Sequence, residues 1–155
     1  MTQETTEGRS SPLGATLSLG GANFSVYSKH ATAVELLLFD CVDDAAPARV
    51  IRIDPSTNRT YHYWHVFVPG VRAGQTYGYR AEGPYDPSSG LRFDRAKVLL
   101  DPYGRGTVVP KNYGREAAQK GQLRDGDEER GGGSMCVRLG RRHAAQPVLV
   151  SDYHL

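Results

Sequence analysis

The chain has 155 residues, of which 39% are hydrophobic and 23% are charged, a composition that suits one globular domain and excludes a large multidomain enzyme. Its net charge of +2 gives no electrostatic case for nucleic acid or an anionic membrane as the main partner. No apolar run approaches the length that spans a bilayer, and the polar, acidic start lacks the basic and apolar segments of a secretory signal. We therefore expect a cytoplasmic protein that binds neither nucleic acid nor membrane.

The residue types that most often hold metals are poorly placed for it. Cys41 and Cys136 lie far apart without metal-type spacing, and we expect both to be free thiols. His62 and His65 would lie on opposite faces of a strand. The aspartates of residues 40–44 lack the spacing and glycine of a calcium loop. We expect no metal and no cofactor, and we expect these histidine and aspartate side chains to be solvated.

Short strand-like runs dominate the first half of the chain. They lie at residues 22–27, 33–39, 49–53, 63–68 and 76–81, separated by turns rich in glycine and proline. The connections are too short for parallel crossovers, which predicts antiparallel pairing, with the last two runs forming a hairpin. The predicted fold is all-β, an immunoglobulin-like antiparallel β-sandwich with a long C-terminal loop region and an irregular tail.

The pattern changes after Gly83. Prolines at positions 84, 87 and 102 interrupt any regular element, so residues 83–111 are predicted to form a shaped loop with one short helical turn around residues 95–99. Loops of this length without secondary structure of their own are usually functional.

Several motifs of this region resemble those of a known family. They are YGYR at residues 77–80, GPYDP at 83–87 and LLDPY at 99–103, in the same order as in the N-terminal module of bacterial glycogen debranching enzymes and isoamylases of glycoside hydrolase family 13. The resemblance runs from about Pro12 to about Ala118. It implies a family 48 carbohydrate-binding-type β-sandwich, which in that family precedes a TIM-barrel domain that hydrolyses α-1,6 branch linkages in glycogen.

The resemblance also implies a division of the chain. Residues 1–11 are expected to be a flexible N-terminus, residues 12–118 the β-sandwich module, and residues 119–155 a disordered tail. A (β/α)₈ barrel needs roughly 200 residues or more, whereas 37 residues follow Ala118. We therefore expect no catalytic residue in this chain and no hydrolysis by the chain alone.

The tail has the character of a shifted reading frame. Residues 122–155 leave the family pattern abruptly. With synonymous codons chosen freely, a reading one base further on, started inside the Gln122 codon, yields strings similar to the family's segment between the sandwich and the first barrel strand. We hypothesise that a frameshift near Gly121 or Gln122, natural or from sequencing, truncated a full-length debranching enzyme.

Two sets of residues are candidates for contacts. Flat aromatic rings can stack on sugar rings, and the candidates for contact with an α-glucan such as glycogen are Trp64, Tyr63, Tyr77, Tyr79 and Tyr85, with Tyr61 considered beside them. Charged residues in the most family-like stretch are candidates for docking the barrel: Arg80, Asp86, Arg92, Asp94 and Asp101. Because neighbours on a strand point to opposite faces, Tyr63 and Trp64 cannot serve one surface.

Three interpretations stay open from the sequence. The chain is an accessory module of a debranching enzyme, a stand-alone α-glucan-binding module, or a non-functional truncated product. The last would leave a barrel-facing apolar patch exposed and would be poorly soluble.

Overall fold

A computed structural model of the protein describes residues 5–111 and 136–139. Eleven strands and one short 3₁₀ helix lie in these residues. In chain order they are β1 (Gly14–Ser18), β2 (Gly21–Tyr27), β3 (Ala33–Phe39), β4 (Arg49–Ile53), β5 (Arg59–Thr60), β6 (Tyr63–Pro69), β7 (Thr76–Glu82), β8 (Tyr85–Asp86), the 3₁₀ helix (Pro87–Ser89), β9 (Leu91–Arg92), β10 (Thr107–Val108) and β11 (Cys136–Arg138).

The strands form two antiparallel sheets and a small hairpin. The first sheet has the order β1-β2-β6-β5, the second has the order β10-β11-β7-β3-β4, and β8 pairs with β9. The predicted all-β antiparallel sandwich is confirmed. The predicted hairpin between residues 63–68 and 76–81 is wrong, because β6 pairs with β2 while β7 pairs with β3 in the other sheet. The loop between them crosses from one sheet to the other. Turn residues in the sequence do not show whether a loop joins strands of the same sheet or of different sheets.

The core lies between the inner faces of the two sheets. Alternation along the first sheet sends Phe24 and Val26 inward together with Trp64, and all three are buried. Phe24 meets Tyr77 of the second sheet edge-on, with ring centroids 5.1 Å apart. Side chains of this size each contribute about 1.5–3 kcal/mol when buried, which is the main force holding the sheets together.

The outer face of the first sheet is covered by the chain's own N-terminal segment. Thr6 pairs with Phe67 through two backbone hydrogen bonds, at 3.0 and 3.1 Å. The Asn23 side chain then accepts from the Arg9 N–H at 2.6 Å and donates to the Arg9 carbonyl at 2.9 Å. The expectation of a flexible N-terminus therefore does not hold for residues 6–10, which the Asn23 amide fixes in place.

Residues 83–111 cover the outer face of the second sheet. Val98 and Val108 pack on Leu37 and Phe39, which point away from the main core. A side chain at Gly78 would meet Val98 at 2.7 Å, so this crossing requires glycine. The predicted helical turn around residues 95–99 is wrong: that stretch is a turn followed by a bridge to β7, and the one helical turn is at Pro87–Ser89.

The edge of β7 is completed by two separate segments. Leu99 exchanges backbone hydrogen bonds with Tyr79, at 2.7 and 2.9 Å. Further along the edge, β11 pairs with Thr76 and Tyr77, and Val137 is buried in the core. The expectation of a disordered tail over residues 119–155 therefore does not hold for residues 136–139. An extended apolar segment satisfies both the hydrogen bonds and the core at this edge. The rest of that predicted tail lies outside the described residues.

Candidate functional site

Three of the aromatic side chains predicted to contact glycan are buried. Trp64, Tyr77 and Tyr79 have exposed fractions of 0%, 1% and 2%. The Trp64 indole N–H donates to the carbonyl of Ser28 at 3.1 Å. A ring enclosed by the sandwich core presents no face to a sugar, so the prediction of glycan contact is wrong for these three residues.

A buried carboxyl group lies at the end of β7. Asp101 accepts hydrogen bonds from the Tyr77 hydroxyl at 2.8 Å and from the Tyr103 backbone N–H at 2.9 Å. Burial raises the pKa of Asp101, and these two hydrogen bonds partly oppose the rise. Burial also raises the pKa of Tyr77 and Tyr79. The LLDPY motif is thus explained structurally: its aspartate holds the following loop against the sandwich.

The remaining predicted glycan-contact residues are accessible but lie in different places. Tyr85 is 68% exposed on the small β8–β9 hairpin. Tyr63 is half-buried at the start of β6, and its register partner on β2 is Tyr27. Among the described residues, Tyr85 therefore has no aromatic ring beside it, whereas Tyr63 has Tyr27 as an aromatic neighbour.

Tyr63 belongs to a cluster that we call the aromatic turn, made of Tyr27, Tyr61, His62 and Tyr63. Ring centroids are 4.2 Å apart for Tyr61 and His62, 6.0 Å for His62 and Tyr27, and 5.4 Å for Tyr27 and Tyr63. The N-terminal segment covers the same sheet face up to Ser25, which donates to the Ser10 carbonyl. Tyr27, next on that face, remains 38% exposed. Tyr27 was missed from sequence because its proximity to Tyr63 depends on the β2–β6 register.

Tyr61 occupies an unusual backbone conformation. It lies in the two-residue turn between β5 and β6 with φ at +61°, the one non-glycine residue with positive φ in residues 5–111 and 136–139. Glycine is preferred at such a turn position, and a bulky residue there costs about 1–3 kcal/mol. Arg59 braces the turn: its Nε donates to the Tyr61 carbonyl at 3.0 Å, and its guanidinium lies 4.7 Å from the centre of the Trp64 ring.

The two histidines differ from the expectation of solvated side chains. His65 is 2% exposed, with its Nε2 2.8 Å from the Thr60 hydroxyl, and burial lowers its pKa. His62 contributes its ring to the aromatic turn, and its Nδ1 is buried without a hydrogen-bond partner among the residues described. The prediction of solvated histidines is therefore wrong for His65, because the N-terminal segment covers it.

The predicted docking residues are mostly engaged within the chain. Arg80 lies 3.4 Å from Glu35 on the outer face of the second sheet. Asp86 caps the 3₁₀ helix, and hydrogen bonds from Ser88 and Ser89 lower its pKa. Asp94 also has a partner within the chain, since its carboxylate accepts a hydrogen bond from the Ala96 N–H at 3.0 Å.

Two members of the docking set remain. Asp101 is 4% exposed and cannot reach a partner domain, so its assignment as a docking residue is wrong. Arg92, on β9, is exposed. Large apolar side chains are also exposed within residues 83–111, a region that we call the loop face: Tyr85, Tyr103 and Val109.

The carboxylate groups that line two depressions of the described surface bear on catalysis. Two shallow depressions have volumes of about 230 and 380 Å³, the first lined by one carboxylate, Asp40, and the second by none. Retaining glycoside hydrolysis needs two carboxyl groups facing one bond. Within residues 5–111 and 136–139, no group of three metal-ligating side chains occurs, and no helix is long and apolar enough to cross a membrane.

The family model for carbohydrate-binding module 48 (isoamylase N-terminal domain) matches residues 12–104. The chain belongs to this family. A glycogen debranching enzyme from Serratia proteamaculans is 48% identical over 107 residues, which are 69% of this chain and 15% of that protein. The chloroplastic isoamylase 1 of Oryza sativa is 40% identical over 109 residues, covering 69% of this chain and 14% of the relative. The chain thus matches about one seventh of the length of these relatives.

Solved structures agree on the fold. The GBS pullulanase SAP, solved in complex with maltotetraose, has a TM-score of 0.54 at 16% identity and covers 86% of this chain and 15% of that one. Pullulanase from Bacillus acidopullulyticus has a TM-score of 0.50 at 20% identity over 61% of this chain and 10% of that one. At these identities the likeness concerns the β-sandwich.

Proposed function

We propose that this chain is the N-terminal accessory module of a glycogen debranching enzyme and that it supports the catalytic domain of that enzyme. The carrying observation is the family match over residues 12–104, together with relatives at 48% and 40% identity that are named a glycogen debranching enzyme and an isoamylase. Hydrolysis of α-1,6 linkages belongs to the full-length enzyme, and the 155 residues by themselves are inactive.

The loop face is the surface that meets the catalytic domain. Tyr103 and Val109 are each 54% exposed, and Tyr85 is 68% exposed. Exposure of this apolar surface to water is unfavourable, and contact with another domain would bury it. The loop beneath them is held in place by Asp101 and by the bridge between Leu99 and Tyr79. A fixed apolar surface is suited to a permanent domain contact. The docking role of Arg92 stays part of this proposal.

The protein acts in the cytoplasm under this proposal. Cys41 is an exposed free thiol, which is compatible with a reducing compartment. Truncation by a frameshift near residues 121–122 also remains a proposal, supported by the abrupt end of the family pattern.

A chimera tests the docking role. Residues 12–111 replace the aligned segment of the Serratia proteamaculans enzyme, and debranching of glycogen and thermal stability are measured. We expect an active, folded enzyme that Val109→Asp destabilises, because a charge is then buried against the catalytic domain. Leu19→Asp is the matched control, since Leu19 is fully exposed at the β1–β2 turn.

Two results would contradict the proposal. The first is an equal response of the chimera to Val109→Asp and Leu19→Asp, which would remove the loop face as the docking surface. The second is release of reducing ends from glycogen by the pure 155-residue chain.

The second candidate function is that of a stand-alone α-glucan-binding module. The exposed rings of the aromatic turn favour it, because aromatic faces are what a sugar-binding surface requires. This function predicts that the isolated chain binds glycogen without a catalytic domain, and co-sedimentation with glycogen measures it.

A further inference from the structure

β11 occupies a narrow gap between β7 and β10, which we call the strand slot. The register partners of Val137 on β11 are Tyr77 of β7 on one side and Thr107 of β10 on the other. β7 lies within residues 12–104, the part of the chain that the family model matches, whereas β11 lies outside that part. The module therefore supplies one wall of the slot, and a segment from outside the family match fills it.

Backbone hydrogen bonds hold the segment in the strand slot from both sides. The Leu139 N–H donates to the Gln75 carbonyl at 2.8 Å, and the Gly74 N–H donates to the Leu139 carbonyl at 2.6 Å. On the β10 side, the Arg138 N–H donates to the Gly106 carbonyl at 2.8 Å. Any extended segment without proline at these positions can make such bonds, so they contribute affinity without selecting the sequence of the occupant.

The side chains of the occupant alternate between the core and solvent. Val137 and Leu139 are buried in the main core, while Arg138 between them is exposed. Gly104 makes room for the first of them, since a side-chain carbon at Gly104 would lie 2.5 Å from Val137. An empty slot would open this apolar space to water and leave backbone groups along the β7 edge without their partners. The slot thus requires an extended occupant with apolar residues at two alternate positions.

We propose that the strand slot is a strand-acceptor site and that, in the full-length enzyme, the chain that follows the module fills it. The occupant there is an extended segment with apolar side chains in the places of Val137 and Leu139. Under the proposed truncation that segment is lost, and β11 takes its place. This inference rests on the proposed function and adds the point at which the following chain is anchored. Because β10 belongs to the loop face, the anchor lies beside the surface assigned to the domain contact.

Binding of a separate peptide to the full 155-residue chain tests the site. Val137→Asp combined with Leu139→Asp vacates the slot, because burial of two unpaired carboxylates in the core is unfavourable. A fluorescent peptide of residues 134–141, carrying Cys136→Ser to avoid oxidation, should bind this variant, as measured by fluorescence anisotropy. Its affinity for the parent and for the control Arg138→Asp should be roughly tenfold or more weaker, because their own β11 competes at a high local concentration.

Two altered peptides test whether the pattern of the occupant decides binding. A peptide with isoleucine at both buried positions should bind the vacated variant within about threefold of the first peptide. A peptide with aspartate at both positions should not bind. Failure of the first peptide to bind the vacated variant, when circular dichroism shows that variant to be folded, would overturn the proposal. Equal affinity for the vacated variant and the parent would do the same.

Hydrogen exchange in the chimera of residues 12–111 is the second measurement, and it decides the matter if the vacated variant does not fold. The chimera contains no β11, so protection of the Gly74 amide, which here donates to Leu139, requires another occupant of the slot. This amide should exchange roughly tenfold or more slowly than in an unstructured peptide. Exchange at the unstructured rate would refute the anchoring.

The peptide experiment and the activity of the chimera are independent of each other. Peptide binding without an active chimera would leave the slot and remove the proposed function. An active chimera that responds to Val109→Asp, without peptide binding, would leave the proposed function and remove the slot.

Discussion

Replacing either of two buried tyrosines of β7 by phenylalanine should change the stability of the protein, in opposite directions for Tyr77 and Tyr79. The Tyr77 hydroxyl donates to Asp101 at 2.8 Å, whereas the Tyr79 hydroxyl is buried with no hydrogen-bond partner in the part of the chain that the structure describes. Loss of a hydrogen bond to a charged acceptor costs about 1.5–3 kcal/mol. Removal of an unsatisfied buried hydroxyl leaves the ring in place and should gain about 1 kcal/mol. Tyr77→Phe should therefore destabilise the protein, and Tyr79→Phe should stabilise it.

The effect at Tyr77 should also depend on pH. Because burial raises the pKa of Asp101, the folded state binds its proton more tightly than the unfolded chain does, and this group's contribution to stability falls as the pH rises from 3.8 through the folded value. The Tyr77 hydrogen bond opposes that loss, because it favours the ionised carboxylate. The penalty of Tyr77→Phe should therefore be largest above the folded pKa and should shrink toward about 1 kcal/mol as Asp101 becomes protonated.

Urea unfolding measures both effects. Trp64, the single tryptophan, is buried in the core, and its fluorescence reports exposure of the core on unfolding. With a typical denaturant slope, Tyr77→Phe should lower the midpoint by about 1 M, and Tyr79→Phe should raise it by about 0.5 M. Equal destabilisation by the two variants, or a Tyr77→Phe penalty that grows in acid, would refute the assignment of the hydrogen bond.

Two further predictions concern the core and the gene. Trp64→Ala should cost about 3–5 kcal/mol, because it empties the centre of the sandwich. Because this variant has no tryptophan, circular dichroism follows its unfolding in urea. Any loss of glycogen binding should accompany a lower urea midpoint, and lost binding with an unchanged midpoint would contradict a purely structural role. Resequencing from the codon of Gly104 to several hundred bases past the codon of Leu155 should reveal a barrel domain in the shifted frame. Its absence would make the short chain the true product and would favour the stand-alone module.

The sequence by itself determined five of the strands and the family. Alternation along residues 22–27 separates Phe24 and Val26 from their polar neighbours, and this period-2 pattern is a local property that needs no knowledge of partners. The motifs of residues 77–103 placed the chain in its family for the same reason, because they can be read without pairing information.

Only the tertiary structure decided which strands pair and which rings face solvent. Residues 63–68 and 76–81 have the local signals of a hairpin, yet they lie in different sheets. The free energy gained by burying the inner faces of both sheets exceeds the entropy saved by pairing two strands through a short loop. Tyr77 and Tyr79 are buried because they point into the core between the two sheets. Tyr27 and Tyr63 meet because the register of β2 with β6 places them opposite each other. Exposure depends on contacts between distant segments, and a pattern within one segment does not contain them.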